Sequence, residues 1–111
     1  MQNEKLTVND MYEYQKALQD KYQIKWREPI SPEMSKNKLL WAYGEMAEVG
    51  DILKKNPMEK IMSDPELRRH ITEELGDVMM YLFDVMLCLG IDPDDFANEY
   101  RTKCERNINR W

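Results

Sequence analysis

The chain has 111 residues, 42% hydrophobic and 33% charged, which fits one globular domain with its own core and excludes an intrinsically disordered chain. Sixteen basic residues stand against 21 acidic ones, for a formal charge of -5; that surface is wrong for neutralising a phosphate backbone, so no nucleic-acid polymer is expected as a partner. The only cysteines, Cys88 and Cys104, form neither a disulfide framework nor a CxxC zinc pair, and a reducing, cytoplasmic setting is expected.

The opening MQNEKLTVND has no apolar signal core. Hydrophobic periodicity predicts a first helix over about Val8–Tyr22, with Thr7 as its N-cap. Ser31-Pro32-Glu33 reads as a cap with proline at the first helical position, opening a second helix that runs to about Lys55 and stops before Pro57. Asp64-Pro65-Glu66 opens a third by the same logic, and Gly90 closes it after Leu89. Its near-apolar stretch over 78–89 is interrupted by Asp84 and is too short to span a bilayer, so no membrane partner is expected. A fourth starts at Asp92-Pro93, with Asp94 and Asp95 favourable to the helix dipole, and carries an apolar stripe of Phe96, Tyr100, Cys104, Ile108 and Trp111. No stretch alternates with period two. The expected fold is therefore all-α: a single domain over 1–111, an antiparallel bundle of about four helices.

Five acidic pairs stand at i,i+3: Asp10/Glu13, Glu45/Glu48, Glu48/Asp51, Glu74/Asp77 and Asp92/Asp95. Spacing alone says little, because most such pairs are solvated surface charge. Context separates them. Glu45 and Glu48 share a helix face with Trp41, Val49 and Ile52, with Lys38 and Lys55 at its ends. On the third predicted helix, Glu73, Glu74, Asp77, Tyr81 and Asp84 form one narrow strip on an otherwise apolar circumference, so that helix is expected to be largely buried. Buried carboxylates cost several kcal/mol (an order of magnitude) per uncompensated ion. His70 and a few lysines are the local cations, too few to pair them all. A divalent ion is the economical partner, and carboxylate-only ligands favour Mg²⁺ or Mn²⁺ over Zn²⁺. The competing reading is an internal salt-bridge network or a polar subunit interface.

Glu45-Met-Ala-Glu48 followed by Glu74-Leu-Gly-Asp77 resembles the ExxE…ExxD signature of MazG-like, all-α nucleoside triphosphate pyrophosphohydrolases. The strings GEMAEVGDILKK and EELGDVMMYLFDVM look like that family's two metal-bearing helices. The tail Tyr100-x-x-Lys103-x-x-x-Asn107-x-x-Arg110 is similar to the C-terminal helix of these proteins and of the related dimeric dUTPases. The resemblance covers about residues 35–111. It implies hydrolysis of a nucleoside triphosphate between the α and β phosphates, in nucleotide-pool house-cleaning. It also implies Mg²⁺ held by Glu45, Glu48, Glu74 and Asp77, with Glu45 or Glu48 orienting or deprotonating the attacking water.

Further positions have two readings each. Lys54 and Lys55 could reach phosphate, or simply favour an exposed helix C-terminus. Lys103, Asn107 and Arg110 share a face and could meet phosphate or sugar, or serve the surface or a subunit contact. Asp84 could bond the base, or be a buried polar residue satisfied by a neighbouring helix. Trp41 and Tyr81 could wall a base pocket, or be core. Glu73 could support the ligand Glu74 beside it. The apolar third helix carries more apolar surface than one copy can hide, and MazG-like chains are usually dimers or dimer-pairs, so a homodimer or a dimer of dimers is expected to complete the bundle. Two alternatives differ in class. A di-iron bundle needs Glu-x-x-His pairs, and His70 has Leu67 three residues before it, so that motif is absent. A noncatalytic helical module binding a nucleotide or a partner is the other.

Overall fold

The computed structural model describes residues 5–110, and every regular element within them is helical. Helix α1 is Val8–Trp26, α2 Ser35–Lys55, α3 Met58–Ser63, α4 Pro65–Leu89 and α5 Pro93–Arg110, with a 3-10 turn at Pro32–Met34 leading into α2. The all-α class agrees with the periodicity, but the described residues hold five helices rather than about four. The extra helix follows from Pro57. Proline disfavours helical backbone in the residue before it, and Asn56 is extended (φ -120°, ψ 138°), which ends α2. The Pro57 carbonyl then accepts from the N–H groups of Lys60 and Ile61, opening α3. Buried Ile61 holds this short helix against α4.

Most helix ends have the expected chemistry. Thr7 and Asp10 form a reciprocal capping box: Asp10 N–H donates to Thr7 Oγ1 at 3.1 Å, and Thr7 N–H to Asp10 Oδ2 at 2.9 Å. Asp64 accepts from the N–H groups of Glu66 and Leu67, at 3.0 and 3.3 Å. Gly90 closes α4 in the left-handed region, φ 66°. Two ends differ. Helix α1 continues past Tyr22 to Trp26, where Arg27 takes the left-handed cap (φ 58°) without glycine. Ser31 makes no side-chain cap bond; Pro32 begins the 3-10 turn, and α-helical geometry starts at Ser35.

Helices α2 and α4 are the main packing pair. Lys38 Nζ lies 3.4 Å from Asp84 Oδ2, the Trp41 and Tyr81 rings are 6.0 Å apart, and Glu48 lies beside Glu74. Each turn forward along α2 is thus a turn back along α4, so the two run antiparallel. Ala42, Val49, Val78, Phe83, Met86 and Cys88 form the apolar core around this seam.

Helix α1 lies against α4 in an unusual way. It buries two amides, Gln15 and Gln19, while Met11, Tyr14 and Leu18 are 37–51% exposed. The expectation that the helix now labelled α4 is largely buried is corrected in part. Leu75, Met79 and Met80 are 40–50% exposed, because α1 and α4 leave between them an apolar groove of about 600 Å³. Helix α5 is tied to α1 near its start, where Asn9 Nδ2 donates to Asp94 Oδ1 at 3.0 Å. Its stripe of Phe96, Tyr100, Cys104 and Ile108 is exposed, and Trp111, the last member, lies outside the described residues. The radius of gyration is 16.4 Å, where a compact chain of this length has about 13 Å. The accessible surface is 8693 Å², where a folded monomer of this mass has roughly 6,500 Å². No helix among the described residues is long and apolar enough to cross a membrane.

Candidate functional site

The antiparallel register carries the acidic pair of α2 onto that of α4. Glu45, Glu48 and Glu74 each place one carboxylate oxygen within 4.8 Å of the others. Asp77 stands outside that tight set. It lines the same cavity as Glu45, and its charge acts on both Glu45 and Glu74. Burial, and after it the charge and hydrogen bonding of Glu48, push the Glu45 carboxyl up to about 7; Asp77 and Glu74 add to the shift. The Glu74 carboxyl is raised by burial and then by Glu48 and Asp77, against a lowering influence from His70. His70 Nε2 lies 4.0 Å from Glu74 Oε1 and is about half exposed. Glu74 Oε2 is buried with no hydrogen-bond partner among the described residues. An all-oxygen donor set, mutually repelling and with an orphaned acceptor, suits a hard divalent cation.

Beside the cluster is a cavity of about 270 Å³. Glu45, Asp77 and Tyr81 line it at one end; Gln15, Gln19, Lys38 and Asp84 line the other. Asp84 is 2% exposed and Lys38 wholly buried. Gln15 Nε2 donates to Asp84 Oδ1 at 2.8 Å, and Gln19 Nε2 donates to Asp84 Oδ1 and Oδ2 at 3.1 Å each. Lys38 Nζ pairs with Asp84 Oδ2 and, at 3.5 Å, with Glu28 Oε2. It also lies 5.3 Å from the Trp41 ring centre. Burial pushes the Asp84 carboxyl up, opposed by its bonds from Gln15, Lys38 and Gln19. Both readings of Asp84 therefore coexist: its oxygens are satisfied by neighbouring helices, and it lines a cavity.

The remaining expected residues are placed less centrally. Tyr81 lines the cavity; Trp41 packs against Tyr81 at the seam, 37% exposed, and is not among the lining residues. Lys54 and Lys55 are exposed, and Lys55 Nζ lies 4.0 Å from Asp51 on its own helix. Glu73 is exposed. On α5, Lys103 and Arg110 are exposed and Asn107 half-buried, and none of the three lines the cavity. Gln15, Gln19 and Glu28 escape the sequence reading. The one trace they leave is the i,i+4 spacing of the two glutamines. Lys38 is legible only as a charge at the end of the apolar stripe that carries Glu45 and Glu48.

A scan against protein-family models gives no match, and searches of curated proteins and of solved structures give none either.

Proposed function

We propose that the chain is a Mg²⁺-dependent nucleoside triphosphate pyrophosphohydrolase, as the MazG-like signature implies. The observation that carries this reading is the convergence of Glu45, Glu48 and Glu74 within 4.8 Å, with no lysine or arginine paired to them among the described residues. Glu45, Glu48, Glu74 and Asp77 hold Mg²⁺, or Mn²⁺ in its place. When bound, the ion offsets charge on the polyphosphate oxygens and lowers the pKa of a coordinated water. Glu45 or Glu48 would orient the attacking water and accept its proton. The cavity beside the cluster receives the nucleoside. Water adds across the α–β anhydride, giving nucleoside monophosphate and pyrophosphate.

The active form is a homodimer or a dimer of dimers. The apolar groove between α1 and α4, the exposed stripe of α5 and an excess of about 2,200 Å² over a monomer's surface match what a permanent homodimer buries per subunit, roughly 1,000–2,500 Å².

The test is a panel of ribo- and deoxyribonucleoside triphosphates incubated with Mg²⁺ and assayed for pyrophosphate. Release by the wild type and loss in Glu48→Ala are expected. No release from any triphosphate would sink the proposal. If nucleotide instead raised the melting temperature without turnover, the noncatalytic binding module would replace it.

A further inference from the structure

One part of the cavity wall is not helix interior. Trp26 is the last residue of α1 and Glu28 lies in the connection to α2, while the other lining residues sit within α1, α2 and α4. A helix cannot leave the wall without losing its packing, but a connection can. This one covers the Lys38–Asp84 end: Glu28 Oε2 lies 3.5 Å from the Nζ of wholly buried Lys38. Its attachments are few and local. The N–H groups of Arg27 and Glu28 donate to the carbonyls of Ile24 and Gln23, at 3.2 and 3.0 Å, and Ile30 N–H donates to Gln23 Oε1 at 2.9 Å. Beyond it, the turn at Pro32–Met34 packs on α2 and α4.

The connection is built to swing as a unit. Pro29 and Pro32 fix their own φ and restrict the residues before them, and Ser31 is extended (φ -146°, ψ 156°), so the segment is stiff. The bend falls on Arg27, at φ 58°, a region where glycine alone is unstrained. The tie that holds it down is a surplus ion pair. Lys38 is already neutralised by Asp84, 3.4 Å away and 2% exposed, whereas the Glu28 side chain is 28% exposed and can return to water. Releasing Glu28 leaves a balanced buried pair; releasing Asp84 would strand a charge. A partly solvated pair at 3.5 Å is also a weak one. We propose that residues 27–31 form a strap over the cavity, hinged at Arg27 and latched by Glu28 on Lys38, and that its release uncovers the inner end of the cavity. The device does not depend on what the cavity binds, and so not on the hydrolase reading.

Amide hydrogen exchange, followed by NMR on the full chain without ligand, tests the strap. The Ile30 N–H, held by Gln23, reports its release; the Phe83 N–H, inside α4, reports unfolding. Ile30 is expected to exchange far faster than Phe83. Glu28→Ala should speed Ile30 about fivefold, the worth of a weak ion pair, with Phe83 unchanged. Entry is read by labelling with a small methanethiosulfonate. Gln15→Cys, in a chain carrying Cys104→Ser, places a thiol at the inner end, where Gln15 is 6% exposed. The native Cys88, 4% exposed and outside the lining, is the control. Adding Glu28→Ala should speed labelling at position 15 by a similar factor and leave Cys88 unaffected. Should Gln15→Cys fail to fold, the exchange experiment, which alters no wholly buried residue, still decides. An Ile30 amide as protected as that of Phe83, or one indifferent to Glu28→Ala, overturns the strap. Equal acceleration at Ile30 and Phe83 overturns the latch, because it marks loosening of the whole fold. Faster exchange at Ile30 with unchanged labelling at position 15 overturns the uncovering of the cavity. Neither readout involves a nucleotide, so failure here leaves the hydrolase standing, and an absence of pyrophosphate release leaves the strap standing.

Discussion

Two ends of one helix–helix seam treat their carboxylates in opposite ways. At one end Asp84 is nearly inaccessible, and the chain supplies everything it needs: the Lys38 ammonium and the amides of Gln15 and Gln19. Two to three turns away, Glu45, Glu48 and Glu74 crowd within 4.8 Å, and the one cationic candidate beside them among the described residues is the exposed His70, 4.0 Å from Glu74. The cost of burying charge is the same physics at both ends. A fold that can place a lysine wholly inside its seam could have placed one at Glu48 as well. On the proposed reading the acidic end is kept open for a cation from solution, whereas the charge at the Asp84 end is balanced by Lys38.

The sharpest way to break that contrast is to unbalance the balanced end. Lys38→Met leaves Asp84 buried beside two amides and no cation. A loss of about 3–5 kcal/mol is expected, as for other buried pairs deprived of one partner, and urea or thermal melts would read it. Replacing both partners, Lys38→Met with Asp84→Leu, should recover most of the loss, since an apolar pair carries no desolvation debt. A single-variant cost no greater than that of truncating exposed Lys54 would mean that the seam does not hold Asp84 as a charged group.

The groove between α1 and α4 extends the contrast from charge to apolar surface, since here too the chain leaves something uncovered. Met79→Glu puts a charge into that groove at a position 40% exposed in the single chain. Sedimentation should show the wild type as dimer or tetramer and this variant as a monomer that retains its helical circular dichroism. A monomeric wild type would leave the groove unexplained by self-association.

Much of this was legible in the residues, and the reasons are local. Thr7 with Asp10, Asp64 before Pro65, and Gly90 after Leu89 are short-range signals, and the helix ends obey them. The antiparallel all-α class was legible from helical periodicity with no alternating stretch, but that Glu45/Glu48 would meet Glu74 came only from the resemblance, since the i,i+3 spacing recurs in five places. What escaped depends on distant partners. Lys38 is only a charge at the end of a helix stripe until α4 brings Asp84 to 3.4 Å. Gln15 and Gln19 draw no notice in the sequence, because nothing local shows that α1 turns these amides inward and leaves Met11 and Tyr14 half exposed. Ser31 failed for a smaller reason: proline at the start of the segment favoured a 3-10 turn that needs no side-chain cap. The tail residues Lys103, Asn107 and Arg110 were placed near phosphate by resemblance alone, and α5 does not bring them to the cavity within one chain.

The smallest expected effect is a pH dependence that separates the two ends without changing any residue. The Glu45 carboxyl has an ordinary pKa of 4.5 and is pushed up to about 7 in the folded chain, first by burial and then by Glu48. A carboxyl with a higher pKa folded than unfolded binds more protons in the folded state. Its contribution to stability is therefore complete below about pH 4.5 and is lost as pH climbs towards 7. Metal-free protein should melt a few degrees lower at pH 7.5 than at pH 5. Millimolar Mg²⁺ should reverse that fall at the higher pH and do less at the lower, where a proton competes for the Glu45 carboxyl that the ion needs. Glu48→Gln makes the argument specific to the cluster. It removes one of the repelling charges, so the metal-free fall should shrink, and it removes a ligand, so the gain from Mg²⁺ should shrink with it. Both changes move together only if the same carboxylates that repel one another are those that hold the ion. Melting curves that fall with pH but ignore Mg²⁺ would assign the acidic end to a subunit contact instead.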